Sequence, residues 1–136
     1  MKSEHWYIHQ LTQAQLKLFI EEARIGKSNK KAFIGTITLD AAQRIEAVCN
    51  KKVKNIMLES EGIRHSLKKA SHNLKDNDLL HIVDAINTAT DIKVSNTVHQ
   101  NNKCLEICED IGGKITFIME IRKHYGGWLA LVTCYR

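Results

Sequence analysis

The chain has 136 residues, 43% of them hydrophobic and 26% charged, which is typical of one folded domain with its own core. No stretch approaches the length of about eighteen apolar residues that a membrane span needs, and the N-terminus lacks the apolar run of a signal peptide. Four irregularly spaced cysteines do not suit a disulfide scaffold, so we expect reduced thiols and a cytoplasmic site of action. The net charge of +5 is uneven, with +7 in residues 1–75 and −2 in residues 76–136. A basic half favours an acidic partner such as nucleic acid, although a solvated lysine-rich surface has the same charge.

The first half of the chain predicts helices alternating with extended segments. Thr12 followed by Gln15 is a capping-box pattern, and it opens a predicted helix over residues 12–25. An apolar stripe of Leu16, Phe19, Ile20 and Ala23 fits the helical period. The next predicted elements are a strand, a helix and a second extended segment, at 32–38, 39–50 and 51–58.

A second amphipathic pattern follows Ser60, a predicted N-cap, and predicts a helix over 61–73. One face of it has basic and imidazole side chains at spacings i, i+3, i+4 and i+7, namely His65, Lys68, Lys69 and His72. Each has an ordinary alternative: a surface histidine, a solvated lysine face, or a cation complementing the helix dipole. Asp76 is then predicted to cap a helix that runs to about Asn87.

After Asn87 the hydrophobic period changes from 3.6 to 2. Short turns separate four predicted strands, at 92–99, 103–109, 114–122 and 128–136. Consecutive strands joined by short turns form an antiparallel meander. The sequence therefore predicts an α+β domain, with N-terminal helices packed on a C-terminal four-stranded antiparallel sheet.

Several kinds of site are disfavoured. The sequence has no glycine-rich phosphate loop, no dinucleotide fingerprint and no His-Glu-x-x-His motif, which argues against an ordinary NTPase, dehydrogenase or zinc protease. Cys104 and Cys108 lie four apart on a predicted strand, while Cys49 and Cys134 are remote. This spacing does not suit a zinc ribbon, and we expect buried free thiols, no metal and no cofactor.

The last two predicted strands have polar positions that suit phosphodiester chemistry. Glu120 and Arg122 share a face of one strand, and Thr133 and Tyr135 share a face of the next. If these faces look toward the basic helix stripe, they gather an acid, a guanidinium, two hydroxyls and an imidazole. Such a set can cleave RNA without a metal, by deprotonating a ribose 2′-OH and stabilising the phosphorane. The alternative is two polar faces with ordinary cross-strand pairs.

The order of these segments resembles the nuclease domains of the barnase–EndoU–colicin–RelE (BECR) superfamily that are associated with phages and polymorphic toxins. The resemblance covers roughly residues 33–136, and the division it implies is an N-terminal helical extension over 1–31 and a nuclease domain over 32–136. Its most specific parts are Arg64-His65 on the helix and the closing Thr133-Cys134-Tyr135 strand. It also includes the segments FIGTI at 33–37, GIRHSLKK at 62–69, DNDL at 76–79, FIMEIR at 117–122 and LALVTCYR at 129–136.

The resemblance implies a metal-independent endoribonuclease toxin that cleaves RNA, tRNA above all, by 2′-OH transesterification. It further implies inhibition by an acidic immunity protein or antitoxin, and action in the cytoplasm of the producing or a target bacterial cell. His65 would be the general acid or base, Lys69 or Lys68 would neutralise phosphate, and Arg122 and Thr133 would bind the scissile phosphate. Tyr135 would orient or stack near it, and Glu120 would be an acid/base or the partner of Arg122. The remaining RNA-binding candidates are Arg64, Lys68, His72 and Lys123.

The sequence departs from the family pattern at Ala70, where a second histidine often stands five residues after the first. On an unbroken helix, His72 lies about 200° around the axis from that position, so it is no simple substitute. Three hypotheses explain the alanine at this position: the natural protein does without this histidine, the domain has become a binding module, or a histidine has been deliberately replaced.

Two further classes of function remain open at this point. The first is a non-catalytic RNA- or protein-binding domain with the same fold, which the alanine at position 70 favours. The second is a phage structural or accessory domain with no role on nucleic acid, against which the basic half argues.

Overall fold

A computed structural model describes residues 5–7, 9–27, 29–75, 77–123 and 127–136. Within them the chain forms seven strands and four α-helices. The strands are β1 (His5–Tyr7), β2 (Lys30–Thr36), β3 (Asn55–Glu59), β4 (Asp91–His99), β5 (Asn102–Asp110), β6 (Lys114–Arg122) and β7 (Trp128–Tyr135). The α-helices are α1 (Gln13–Ile25), α2 (Leu39–Cys49), α3 (Ser60–Lys68) and α4 (Ile82–Thr88). No helix in these ranges is long and apolar enough to cross a membrane.

All seven strands belong to one mixed sheet, in the order β1-β2-β3-β7-β6-β5-β4. The pairs β1/β2 and β3/β7 are parallel, and the other four pairs are antiparallel. The α+β class and the C-terminal meander are confirmed. The predicted four-stranded antiparallel sheet is wrong, because β3 pairs alongside β7 and extends the meander by three strands. The helices are likewise not confined to the N-terminus, since α3 and α4 follow β3.

The first two helices agree closely with the sequence. Thr12 caps α1 in the predicted capping box, and Thr38 caps α2 by accepting a hydrogen bond from the backbone of Ala41. The predicted apolar stripe of α1 is buried. This stripe belongs to the main core, which also contains side chains of β2. Helix α1 and strand β2 therefore share one core, although the predicted domain boundary after residue 31 separates the helix from most of the strand. The division into residues 1–31 and 32–136 stays a prediction.

The third helix is shorter than predicted. It ends at Lys68, Lys69 is extended, and a separate 3-10 turn covers Ala70–His72. Ser60 is the first helical residue and not the cap, since its hydroxyl bonds the backbone of Lys30 on β2 instead. The final predicted turn is lost because His72 takes part in a tertiary contact: its carbonyl accepts a hydrogen bond from the Arg136 backbone at 2.8 Å.

The segment before α4 also differs from the prediction. Asp76, the predicted cap, lies outside the described residues. The chain forms a 3-10 helix over Asp78–His81 before α4 begins at Ile82. Asp78 is buried, and its carboxylate accepts two hydrogen bonds from Arg136, each 2.8 Å long. This ion pair ties the 3-10 helix to the residue that follows β7.

The main core lies between the helices and one face of the sheet. From β6 it takes the side chains of Ile115, Phe117, Met119 and Ile121, which alternate along the strand. A second, small cluster of Met57, Trp128 and Ala130, with Phe33 against it, lies on the opposite face. That opposite face also carries Thr116, Glu120 and Arg122, and we call it the polar face.

Candidate active site

A β-bulge decides which residues of β7 reach the polar face. Ile118 pairs with Thr133 and Met119 with Leu131, so Val132 is an extra residue in β7. Strict alternation predicts that Ala130 and Thr133 lie on opposite faces. The bulge instead puts both on the side of Glu120, because directly paired residues of antiparallel strands share a face. Glu120, Arg122, Thr133 and Tyr135 therefore share the polar face, as the proposed chemistry requires.

Two histidines and a tyrosine lie in series at one end of this face. The ring centroids of His65 and His72 are 6.4 Å apart, and those of His72 and Tyr135 are 6.0 Å apart. His65 is exposed at the end of α3, whereas His72 and Tyr135 are half-buried. We call these three residues the imidazole cluster.

The position of His72 corrects the helical geometry expected from the sequence. On a continuous helix it would lie on the same face as His65 but two turns, about 10.5 Å, further along the axis. Because α3 ends at Lys68, the 3-10 turn swings His72 back beside His65. The His72 Nδ1 atom lies 3.0 Å from the Ser66 carbonyl, so this nitrogen donates and Nε2 is the one left for a ligand.

The electrostatics of His65 favour its neutral form. Partial burial lowers the pKa of His65 below its ordinary value. Repulsion from the positive charge of Lys69, and from His72 and His99 when they are protonated, lowers this pKa further, against an opposite influence of Glu61. A neutral imidazole at physiological pH is suited to accept a proton.

Tyr135 anchors the cluster to the sheet. It pairs with Thr116 across β6 and β7. Burial and the negative charge of Glu106 raise the pKa of Tyr135, while a hydrogen bond with Thr116 opposes them. The phenol therefore stays protonated near neutral pH and can donate a hydrogen bond.

A second group of side chains, which we call the carboxylate network, surrounds Glu120. This carboxylate is 1% exposed and accepts hydrogen bonds from His99 Nδ1 at 2.9 Å, Asn102 Nδ2 at 2.8 Å and Arg122 Nη2 at 3.0 Å. The Arg122 guanidinium also forms a two-pronged pair with Glu59, at 2.6 and 2.8 Å. The network joins β3, β4, β5 and β6 across the polar face.

The network holds the Glu120 carboxylate as an anion. Burial by itself raises the pKa of Glu120, but the hydrogen bonds from Asn102, His99 and Arg122 outweigh it and lower the value. The two carboxylates conversely raise the pKa of Arg122 above its ordinary value, against the effect of burial. Glu120 is therefore poorly suited to transfer protons itself, and it fits the second predicted role, as the partner of Arg122.

His99 is a residue of this site that the sequence analysis missed. It ends β4, pairs with Asn102 at the start of β5, and reaches Glu120 two strands away. Its strand shows the expected period of 2, but nothing in that pattern marks His99 as different from its neighbours. The signal that could have found it is the Gln100-Asn101 turn, which sets the register of the hairpin.

The remaining predicted site residues are less closely placed. Lys69 is exposed and acts electrostatically on His65, and Lys68 and Lys123 are exposed. Arg64 points the other way, with Nη1 3.5 Å from the Ala23 carbonyl at the end of α1. Ala70 lies in the 3-10 turn.

Thr133 carries an unusual hydroxyl between the two groups. Its Oγ1 atom is buried, and it has no hydrogen-bond partner among the described residues. A buried hydroxyl without a hydrogen-bond partner is destabilising. Such groups are found in binding sites, where a ligand supplies the missing hydrogen bond.

The cysteines are free, as predicted: Cys104, Cys108 and Cys134 are buried and Cys49 is half-buried. Burial raises the pKa of the Cys134 thiol, which keeps it protonated. Among the described residues, no group of three or more His, Cys, Asp or Glu side chains is arranged to hold a metal ion.

Comparison with known proteins adds no relative: no family model, no curated protein and no solved structure matches the chain. The resemblance to the BECR superfamily stays a prediction, and the function is argued from the site.

Proposed function

We propose that this chain is a metal-independent endoribonuclease that cleaves RNA by 2′-OH transesterification. The observation that carries the proposal is the series His65, His72 and Tyr135, with ring centroids 6.4 and 6.0 Å apart, on the sheet face that also bears Arg122. The two imidazoles are near enough for the oxygens of one phosphate to form a hydrogen bond with each. A phosphodiester can therefore contact both.

In the proposed reaction, neutral His65 removes the proton from the ribose 2′-OH, and the 2′-oxygen attacks phosphorus. Lys69 and the free nitrogen of His72 stabilise the negative charge on the phosphorane oxygens. Tyr135 and the Thr133 hydroxyl orient the phosphate and its nucleotide. The bond between phosphorus and the 5′-oxygen breaks, and this oxygen takes up a proton. The products are a 2′,3′-cyclic phosphate and a 5′-hydroxyl.

The biological role that we propose is that of an RNA-cleaving toxin, with tRNA as the substrate and the bacterial cytoplasm as the place of action. An inhibitor of such a site is an immunity protein or antitoxin. It should be acidic, because it has to cover His65, Lys69 and His72, and its association rate should fall as salt rises.

One observation favours a second candidate, an RNA-binding domain without cleavage. Arg122, the predicted ligand of the scissile phosphate, already bonds Glu59 and Glu120. A guanidinium that two carboxylates neutralise adds little net positive charge to a phosphate site.

The test is incubation of the purified chain with total tRNA in EDTA, followed by a denaturing gel and end-group analysis. Fragments that end in 2′,3′-cyclic phosphate support the nuclease. Salt-dependent binding without cleavage supports the binding domain, and absence of binding at low salt overturns both. We expect the Ala70→His variant to cleave no faster than the original chain, because the site already contains His72 beside His65 and His99 bonded to Glu120.

A further inference from the structure

We propose that His99 is the second proton-transfer residue of this site, acting as the general acid, and that Glu120 is its positioning residue. The inference rests on the proposed ribonuclease function and deepens it. It assigns the role of the histidine that the family pattern places at position 70 to a residue on a different element.

The geometry of His99 suits this role. Its Nδ1 atom is 2.9 Å from Oε1 of a carboxylate that is 1% exposed, while the imidazole itself is 28% exposed. Its Nε2 atom has no hydrogen-bond partner among the described residues. A buried carboxylate on one ring nitrogen fixes the tautomer and orientation of a histidine, and it stabilises the ring when both nitrogens carry protons. The other nitrogen can then donate a proton outward.

The sheet order places His99 across the polar face from His65. His65 is on α3, which packs against β7, and His99 is on the hairpin of β4 and β5 beyond β6. In-line displacement at phosphorus needs its base and its acid on opposite sides of the phosphate. A phosphodiester lying over β6 and β7 has one histidine on each side.

His72 is less suited to be the acid. Its Nδ1 atom bonds a neutral backbone carbonyl, that of Ser66, and not a carboxylate. It also lies on the same side as His65, within 6.4 Å. These contacts leave His72 as a ligand of the phosphate.

The reaction balances with these two histidines. His65 accepts the 2′-OH proton while the 2′-oxygen forms its bond to phosphorus. The bond between phosphorus and the 5′-oxygen breaks, and His99 Nε2 gives its proton to that oxygen. The enzyme ends with His65 protonated and His99 neutral, and exchange of one proton with water restores both.

The charged and titratable groups that face His99 come from several elements. They are Glu120 and Arg122 on β6, Glu59 on β3 behind Arg122, Cys104 on β5 and His65 on α3. A pH profile of cleavage therefore reports the whole group, so the decisive test uses the leaving group and not pH alone.

The experiment compares two substrates, an RNA dinucleotide and a nucleoside 3′-phosphodiester with p-nitrophenolate as the leaving group. The nitrophenolate leaves without being protonated. The His99→Asn variant keeps an amide nitrogen where Nδ1 bonds Glu120 and removes Nε2. We expect it to cleave the dinucleotide about 10²–10⁴-fold more slowly than the original chain and the nitrophenyl ester within about threefold of it.

Glu120→Gln should show the same selectivity with a smaller loss on the dinucleotide, about tenfold or more, because it weakens the hold on His99 without removing it. His81→Asn, on an exposed histidine outside the site, is the control and should change neither rate.

Three outcomes overturn the inference, and they are distinguishable. If the original chain cleaves both substrates and His99→Asn cleaves the dinucleotide equally fast, His99 is not the acid and the proposed function stands. If His99→Asn loses both substrates equally, its role is structural. If the original chain cleaves neither substrate, the proposed function fails and this inference falls with it.

Discussion

The two groups of polar residues on one sheet face differ in how their bonding is satisfied. In the imidazole cluster, His65 is exposed, and the three rings lie side by side without using all of their hydrogen-bonding capacity on one another. In the carboxylate network, Glu120 is buried and accepts bonds from three side chains, and Arg122 bonds two carboxylates. The first group has bonding capacity left for a ligand. In the second group, most hydrogen-bonding atoms already bond one another and connect four strands.

We expect from this difference that the imidazole cluster serves the reaction and that the carboxylate network stabilises the fold. A change in the imidazole cluster should alter cleavage and leave the fold intact. A change in the carboxylate network should alter stability first, because the buried Glu120 carboxylate bonds side chains from other strands. His99 is the exception, since it belongs to the network but its side chain is 28% exposed and only its Nδ1 atom bonds Glu120.

The largest effect that we expect is on cleavage by the His65→Ala variant. Loss of a proton-transfer group slows such reactions about 10²–10⁴-fold. The free energy of unfolding should stay within about 0.5 kcal/mol, since the side chain is exposed. RNA cleavage assays measure the rate, urea denaturation measures the free energy of unfolding, and His81→Ala is the control for both. A folded His65→Ala variant that cleaves at the original rate would contradict the assignment of the site.

Glu120→Ala should produce the opposite pattern, with destabilisation of about 3 kcal/mol. The change removes the acceptor of His99, Asn102 and Arg122 and leaves a buried guanidinium with one partner. Glu106→Ala, on β5 and on the same sheet face, is the control: Glu106 is half-buried, but its ion-pair partner Lys93 is exposed, so the pair is worth little. Equal melting curves for the two variants would show that the network is not a framework.

Gly62→Ala tests the contact that positions the imidazole cluster. A Cβ atom at this position would collide with the Leu131 carbonyl beside the Val132 bulge, so α3 must move away from β7. We expect a cost of about 2 kcal/mol and a loss of cleavage, because His65 moves with the helix. Glu61→Ala, one residue away and exposed, should leave stability unchanged and alter cleavage only by lowering the pKa of His65. Thermal melts and cleavage assays of both variants provide the comparison.

Acid should weaken the carboxylate network before the core is affected. Hydrogen bonds hold the pKa values of Glu120 and Asp78 below their ordinary values despite burial, so both contribute stability above the pH range where free carboxyls titrate. That stability is lost as pH falls from about 4 through the lowered values. The free energy of unfolding of the original chain should therefore fall steeply with acid, and that of Glu120→Gln less steeply. Parallel curves would contradict this account.

The smallest effect concerns Thr133, which lies between the two groups. Thr133→Val replaces a buried hydroxyl that lacks a partner with a methyl of similar size, so stability should rise by about 1 kcal/mol. Cleavage should nevertheless fall, by about tenfold for one lost hydrogen bond to the phosphate. If stability rises and cleavage is unchanged, Thr133 does not contact the substrate.

Much of the fold could be predicted from local pattern. Caps and stripes give α1 and α2 to within a residue, and alternation gives all four strands of the meander. The order and the mixed character of the sheet could not be predicted in this way. They depend on β3 pairing with β7, whose residues are more than seventy positions apart in the chain.

The candidate site was predictable as a set of residue types and not as a geometry. Glu120 and Arg122 share a face by simple alternation. Thr133 joins them only because of the bulge. His72 lies within 6.4 Å of His65, and not two turns away on the same face, because α3 ends early. A prediction from hydrophobic periodicity assumes that each helix or strand is unbroken. The bulge in β7 and the early end of α3 both violate that assumption.

The sequence by itself determined the elements, their hydrophobic faces and the unequal distribution of charge, because these depend on neighbours within a few residues. Tertiary structure alone decided that Val132 bulges, that α3 stops at Lys68 and that His99 meets Glu120. The physical reason is that each of these features satisfies a contact between distant segments. The Arg136 backbone bonds the carbonyl of His72, Gly62 packs on the Leu131 carbonyl, and a buried carboxylate on β6 needs donors from other strands.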